Sequence, residues 1–174
     1  MTPGFTRLAV VAPCLPASRR KRGPSQVESA PPGRPHAQNE PYGSPIKIEL
    51  AKKAAQAAAA EMRKRNLEMT IAVVDSGSNL VYLERSNQAG IGTIEAAIGK
   101  AKAANGIKAS TKAIEELILN QHLINLLGVP GAFPVEGGVP LIVDNQVIGA
   151  IGASGGLPSD DGAVALAGAR GLRP

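Results

Sequence analysis

The segment VPLIVDNQVIGAIGASGG at residues 139–156 constrains the fold more than any other part of the chain. Two short apolar runs flank Asp144-Asn145, and both residue types tolerate the left-handed backbone that a two-residue hairpin turn demands. The far end, Gly152-Ala153-Ser154-Gly155-Gly156, carries almost no side-chain bulk, so its backbone amides are open to close approach. MTIAVVD (69–75) and NLVYLER (79–85), around Ser76-Gly77-Ser78, repeat the pattern. Hairpins at 69–86 and 139–153 are expected to build one antiparallel sheet, because their apolar runs need a shared buried face. Pro140 places its strand at an edge or marks its first residue. The runs of the first hairpin are apolar on both faces, which predicts a sheet covered on both sides by helices or by another subunit.

Helical spacing fills the rest of the folded part. Pro45 at a first turn, then Leu50, Ala54, Ala57, Ala58 and Met62, predicts a long Ala-rich helix to about Asn66. Ile94 to Ala104 reads as a second helix. Ser110 or Thr111 is positioned to cap a third running to about Leu127, with Glu115 near the capping-box position. Ser159 or Asp160 is expected to cap the last, from Gly162 to about Arg170. The order α-β-β-α-α-β-β-α indicates an α+β domain with helices on an antiparallel sheet.

Charge is unevenly spread. Residues 1–40 hold six basic side chains against Glu28 and Glu40, whereas residues 41–174 hold 13 basic and 12 acidic groups. The folded part is therefore nearly neutral, which removes the electrostatic support for nucleic-acid binding. Residues 1–43 are rich in proline, carry RRKR at 19–22 and lack a sustained period, so they read as a disordered or targeting leader before a domain at 44–174. Cys14 is the only cysteine, which excludes an intrachain disulfide and is compatible with either side of a membrane. No stretch reaches the length of a transmembrane segment.

Four ordered motifs carry a family resemblance: IAVVDSGSNLVYLER (71–85), GKAKAA (99–104), EGGVPLIVDNQVIGAIGASGG (136–156) and DDGAVALAGA (160–169). Together they resemble the GlcG/HbpS family, a haem-degrading type of domain that also forms the C-terminal part of PduO-type proteins. The match spans roughly residues 44–172. Ala103, Ser110 and Asp160 depart from the residues usual at their motif positions. The resemblance implies a profilin-like antiparallel sheet packed with helices, a homo-oligomer, and an accessory or sensory role in binding haem or another small molecule.

The candidate chemistry is sparse. Gly152-Ala153-Ser154-Gly155-Gly156 matches the nucleophile elbow G-x-S-x-G, but no histidine follows Ser154 to act as base, so Ser154 reads as a hydrogen-bonding group. The Gly155-Gly156 amides, followed by a helix near Asp160, suggest either a structural turn or an anion-binding concavity. Asp75 is most simply a turn residue. Membership in the family motifs adds Arg85, Lys100, Thr111, Gly138 and Asp161 as candidate ligand-binding positions beside Asp75, Ser154 and Gly155. Haem needs an axial donor such as His, Cys, Met or Tyr. His122 is the domain's only imidazole and reads first as a surface or capping group, while Met62 and Met69 read as core filler. One histidine does not make a zinc or non-haem iron site. A non-catalytic binding protein is the leading expectation. The alternative is an enzyme acting on a small hydroxy or oxo acid, with Asp75 or Asp161 as base and Lys100 or Arg85 holding the carboxylate.

Overall fold

The computed structural model describes residues 40–173, together with Met1. Expectations for the leader therefore lie outside the described residues, apart from 40–43. Those four are already tied to the domain: the Gly43 amide donates to the Val147 carbonyl at 2.9 Å and the Val147 amide to that of Pro41 at 2.9 Å. The Tyr42 hydroxyl donates to the Asn105 carbonyl at 2.7 Å.

The elements are α1 (Ile48–Lys64), β1 (Thr70–Asp75), β2 (Leu80–Arg85), α2 (Thr93–Ile107), α3 (Thr111–Gln121), β3 (Gly138–Val143), β4 (Gln146–Ser154) and α4 (Pro158–Arg170). Both hairpins join one antiparallel sheet in the order β2-β1-β4-β3. The fold is α+β, and β3 is an edge strand, as Pro140 requires. Asp144 (φ 49°) and Asn145 (φ 57°) adopt the left-handed turn their side chains tolerate.

Two helical layers sandwich the sheet. Ile71, Val73, Ile151 and Leu141 face α1 and α4, whose apolar sides are built from Ala51, Ala54, Ala55, Ala58, Val164 and Ala165. Val74 and Ala150 face Ala101 and Ala104 of α2 on the other side. Double-sided burial holds along β1 and β4, but β2 is a half-exposed edge strand, because α2 lies over β4 and its neighbours β1 and β3 and leaves one face of β2 uncovered.

Helix boundaries depart from the sequence expectations for local reasons. Ile46 is buried with its amide on the Ile148 carbonyl at 2.9 Å, so residues around Pro45 run extended and α1 starts at Ile48. Leu50 is exposed, and the buried stripe is formed by alanines ending in Met62. Neither Ser110 nor Thr111 caps α3: Thr111 Oγ1 accepts the Gly138 amide at 2.9 Å, and Glu115 accepts the Glu136 amide at 2.8 Å. Both side chains are recruited to fix the approach to β3. The helix ends at Gln121 because His122 turns left-handed (φ 55°), and a 3-10 turn at Ile124–Gly128 follows. Pro158, at the first position after Leu157, starts α4 in place of Ser159 or Asp160.

The α1–α4 crossing relies on Gly168. A Cβ there would meet Ile151 Cδ1 at 2.5 Å, the Ala54 carbonyl oxygen at 3.0 Å and Ala58 Cβ at 3.2 Å. Gly168→Val is expected to lower the unfolding free energy by about 1–3 kcal/mol in urea titrations through overpacking. Gly106→Ala is expected to be neutral or stabilising by up to about 1 kcal/mol, since nothing lies within 4 Å of that position.

Candidate functional site

The small-residue end of β4 meets the start of β3 and the first turn of α4, and there a buried ion pair forms. Lys100 of α2 and Asp161 of α4 are 2% and 3% exposed. Lys100 Nζ donates to Asp161 Oδ2 at 2.5 Å and to the Ala153 carbonyl at 3.3 Å. The other carboxylate oxygen, Oδ1, accepts the Gly156 amide at 2.9 Å. The amide concavity after β4 thus holds a carboxylate belonging to the chain itself. Burial pushes the Asp161 carboxyl up from its ordinary value, while the Lys100 ammonium and the Gly156 amide pull it back down.

Glycines let these groups meet. At Gly137 (φ 134°) a Cβ would lie 2.9 Å from Lys100 Cδ and 2.8 Å from Asp161 Cβ; at Gly138 it would lie 2.8 Å from Thr111 Cγ2. The structure therefore brings Lys100, Thr111, Gly138, Gly155 and Asp161 to one end of the sheet. Ser154 and Arg85 share that end through register, since Thr70 pairs with both across the sheet. Arg85 is exposed, and Ser154 is 8% exposed. Sequence reasoning missed Thr70, whose hydroxyl lies 2.7 Å from that of Thr93 at the start of α2. Nothing local marks that pair, because it joins a strand start to a helix start 23 residues away.

Asp75 stands apart. Its Oδ1 accepts the amides of Gly77 at 2.9 Å and Asn79 at 2.8 Å, which is the turn role expected of it. It lies at the opposite end of β1 from the Arg85 row, five residue steps or roughly 17 Å away. Asp75 and Arg85 do not form one site.

Of the possible axial donors, His122 alone in the domain is a histidine, and the methionines are buried. Met62 and Met69 are core residues, and the Tyr82 hydroxyl bonds Glu84 at 3.0 Å. His122 is exposed at the left-handed C-terminus of α3. Leu119, Leu123, Ile124 and Leu127, from 39% to 69% exposed, lie around it in the chain. Among the described residues no cluster of three or more His, Cys, Asp or Glu is placed to hold a metal ion, and no helix is long and apolar enough to cross a membrane.

Comparison with known proteins bears on the family and the fold. Residues 46–170 match the family described as haem-degrading protein HbpS-like. The chain belongs to the HbpS-like family. It is 36% identical over 96 residues to protein GlcG of Escherichia coli strain K12, covering 54% of this chain and 69% of GlcG. The crystal structure of HbpS superposes with a TM-score of 0.70 at 28% identity, covering 76% of this chain and 93% of HbpS. A PduOC–haem complex shares the fold, with a TM-score of 0.67 at 19% identity over 74% of this chain and 96% of the neighbour.

The HbpS-like motif around Ser154 gives a direct test. Gly155 holds φ 147°, and a Cβ there would sit 2.6 Å from the Glu68 carbonyl oxygen. Gly155→Val is expected to cost about 1–3 kcal/mol of stability through backbone strain and collision. Ser154→Ala should change stability far less, and a fluorophosphonate probe should leave Ser154 unlabelled. Covalent labelling would restore a nucleophilic role.

Proposed function

We propose that this chain is a non-catalytic haem-binding accessory protein, with His122 and the apolar surface beside it as the haem face. The supporting observation is an exposed imidazole on a stretch of chain that leaves Leu119, Leu123, Ile124 and Leu127 largely uncovered. Imidazole is a suitable axial donor, and a porphyrin ring needs apolar contact on its faces. The family description and the haem bound to the PduOC neighbour support the ligand class.

A haem held there would supply an iron centre. His122 would supply the donor atom, and Leu119, Leu123, Ile124 and Leu127 would shield the ring from water. Its position just after α3 fixes the imidazole to a helix end and not to a long loop. The non-catalytic reading draws support from the other candidates. Lys100 and Asp161 saturate each other, and Asp75 is engaged in its own turn. Asp161 is buried away from solvent, and Asp75 stands at the opposite end of β1 from Arg85.

The same apolar stretch is also the surface that we propose a second copy of the chain covers. Exposed aliphatics in this number exceed what isolated surface residues explain, and burial between copies would exclude water around a bound haem.

Titration of the full chain with ferric haem tests this reading. Wild type is expected to give a saturable Soret shift and a raised melting temperature. His122→Ala should lose the shift while melting as wild type does without haem, and substitution of the chain's other histidine, His36→Ala, should leave it intact. An unchanged Soret band in His122→Ala would overturn the assignment.

A further inference from the structure

A groove lies outside both the ion-pair region and the His122 surface. With a volume of about 570 Å³, it follows the open side of β3, between the end of α4 and the connection from α2 to α3. Val139, Pro140 and Ile142 of the strand and Leu166 of α4 give it apolar surface, and Ser110 borders it from the α2–α3 side. Its volume is in the usual range for small-molecule clefts.

Its charge is specific. Arg170 and Arg173 both line the groove, against the single carboxylate of Asp144. Among the described residues neither arginine makes an ion pair; the acidic partners on this helix, Asp160 and Asp161, bond Arg65 and Lys100. Two guanidinium groups beside an apolar surface suit a ligand with a carboxylate at one end and a hydrocarbon body at the other.

The strand itself argues against an added β-strand as occupant. The Ala153 amide bonds the Gly137 carbonyl at 2.9 Å, so residues 137, 139 and 141 turn their backbone groups toward β4, and 138 and 140 face outward. Of those outward positions, Gly138 gives its amide to Thr111, and Pro140 has none. A partner strand would find no backbone donor at either position, and could find one only at Ile142, which lies past the register shift and whose neighbour Val147 bonds Pro41 and Gly43. A small molecule needs none.

We infer that this groove binds a small amphipathic carboxylate, with Arg170 and Arg173 holding the acid group and the β3–Leu166 surface holding the apolar body. This is independent of the haem reading, since it uses neither His122 nor the surface around it.

Isothermal titration of the full chain with 1-naphthoate and with its neutral counterpart 1-naphthamide tests the inference. The acid is expected to bind, and R170Q/R173Q should weaken it about tenfold or more with no change in melting temperature, because both side chains are exposed. The amide should bind wild type no better than the acid binds that variant. Ser110→Phe, at a position whose hydroxyl makes no capping bond, should fill the groove and weaken the acid as well. His122→Ala should leave binding unchanged. Equal affinity for acid and amide, affinity insensitive to both groove variants, loss of binding in His122→Ala, or no detectable binding would each overturn the inference.

Discussion

The Lys100–Asp161 pair is the interaction on which the packing at one end of the sheet depends. Taking an ammonium and a carboxylate out of water costs several kcal/mol per ion, and the fold offsets this by giving both groups further partners. Lys100 also meets the Ala153 carbonyl, and Asp161 also takes the Gly156 amide. The pair joins helices on opposite faces of the sheet, α2 on one side and α4 on the other. It closes around the end of β4 like a clasp. This is reachable only because α2 lies very close to the strands. At Gly152 a Cβ would stand 2.7 Å from the Ala101 amide nitrogen, and at Gly138 it would stand 2.8 Å from the Lys100 carbonyl carbon. Small residues in β3 and β4 therefore serve the packing of a helix, and through it the placement of a charge.

That arrangement separates what the sequence offered as one set of candidate residues. The sequence offered Asp75, Arg85, Lys100, Thr111, Gly138, Ser154, Gly155 and Asp161 together as candidate ligand-binding positions. The sheet sorts them. Asp75 closes the turn after β1, Arg85 stands exposed on the edge strand, and Lys100 and Asp161 are withdrawn from solvent. The surfaces proposed to bind ligands lie elsewhere on the HbpS-like domain: the His122 region after α3, and the groove outside β3.

Legibility in the sequence followed the range of the interaction. The two hairpins, the left-handed Asp144-Asn145 turn, the edge position of β3 and the turn role of Asp75 were readable because each is decided within a few residues. Helix ends were read less well. Thr111 and Glu115 look like capping residues, but their oxygens are claimed by Gly138 and Glu136, more than 20 residues away. The ion pair was hidden for the same reason: 61 residues separate its partners, and each is an ordinary charged side chain in its own helix. The groove had no sequence signal, because Ser110, Pro140 and Arg170 meet only after α2, β3 and α4 have packed.

The account stands most directly on the pair acting as one buried unit. A double-mutant cycle with Lys100→Met and Asp161→Leu, read by denaturant unfolding at neutral pH, measures this. Each single variant strands the opposite charge and is predicted to lose about 3–5 kcal/mol. The double variant is predicted to lose much less than the sum, leaving a coupling of about 2 kcal/mol or more. Single losses that add within about 0.5 kcal/mol would show two independent side chains and contradict the account.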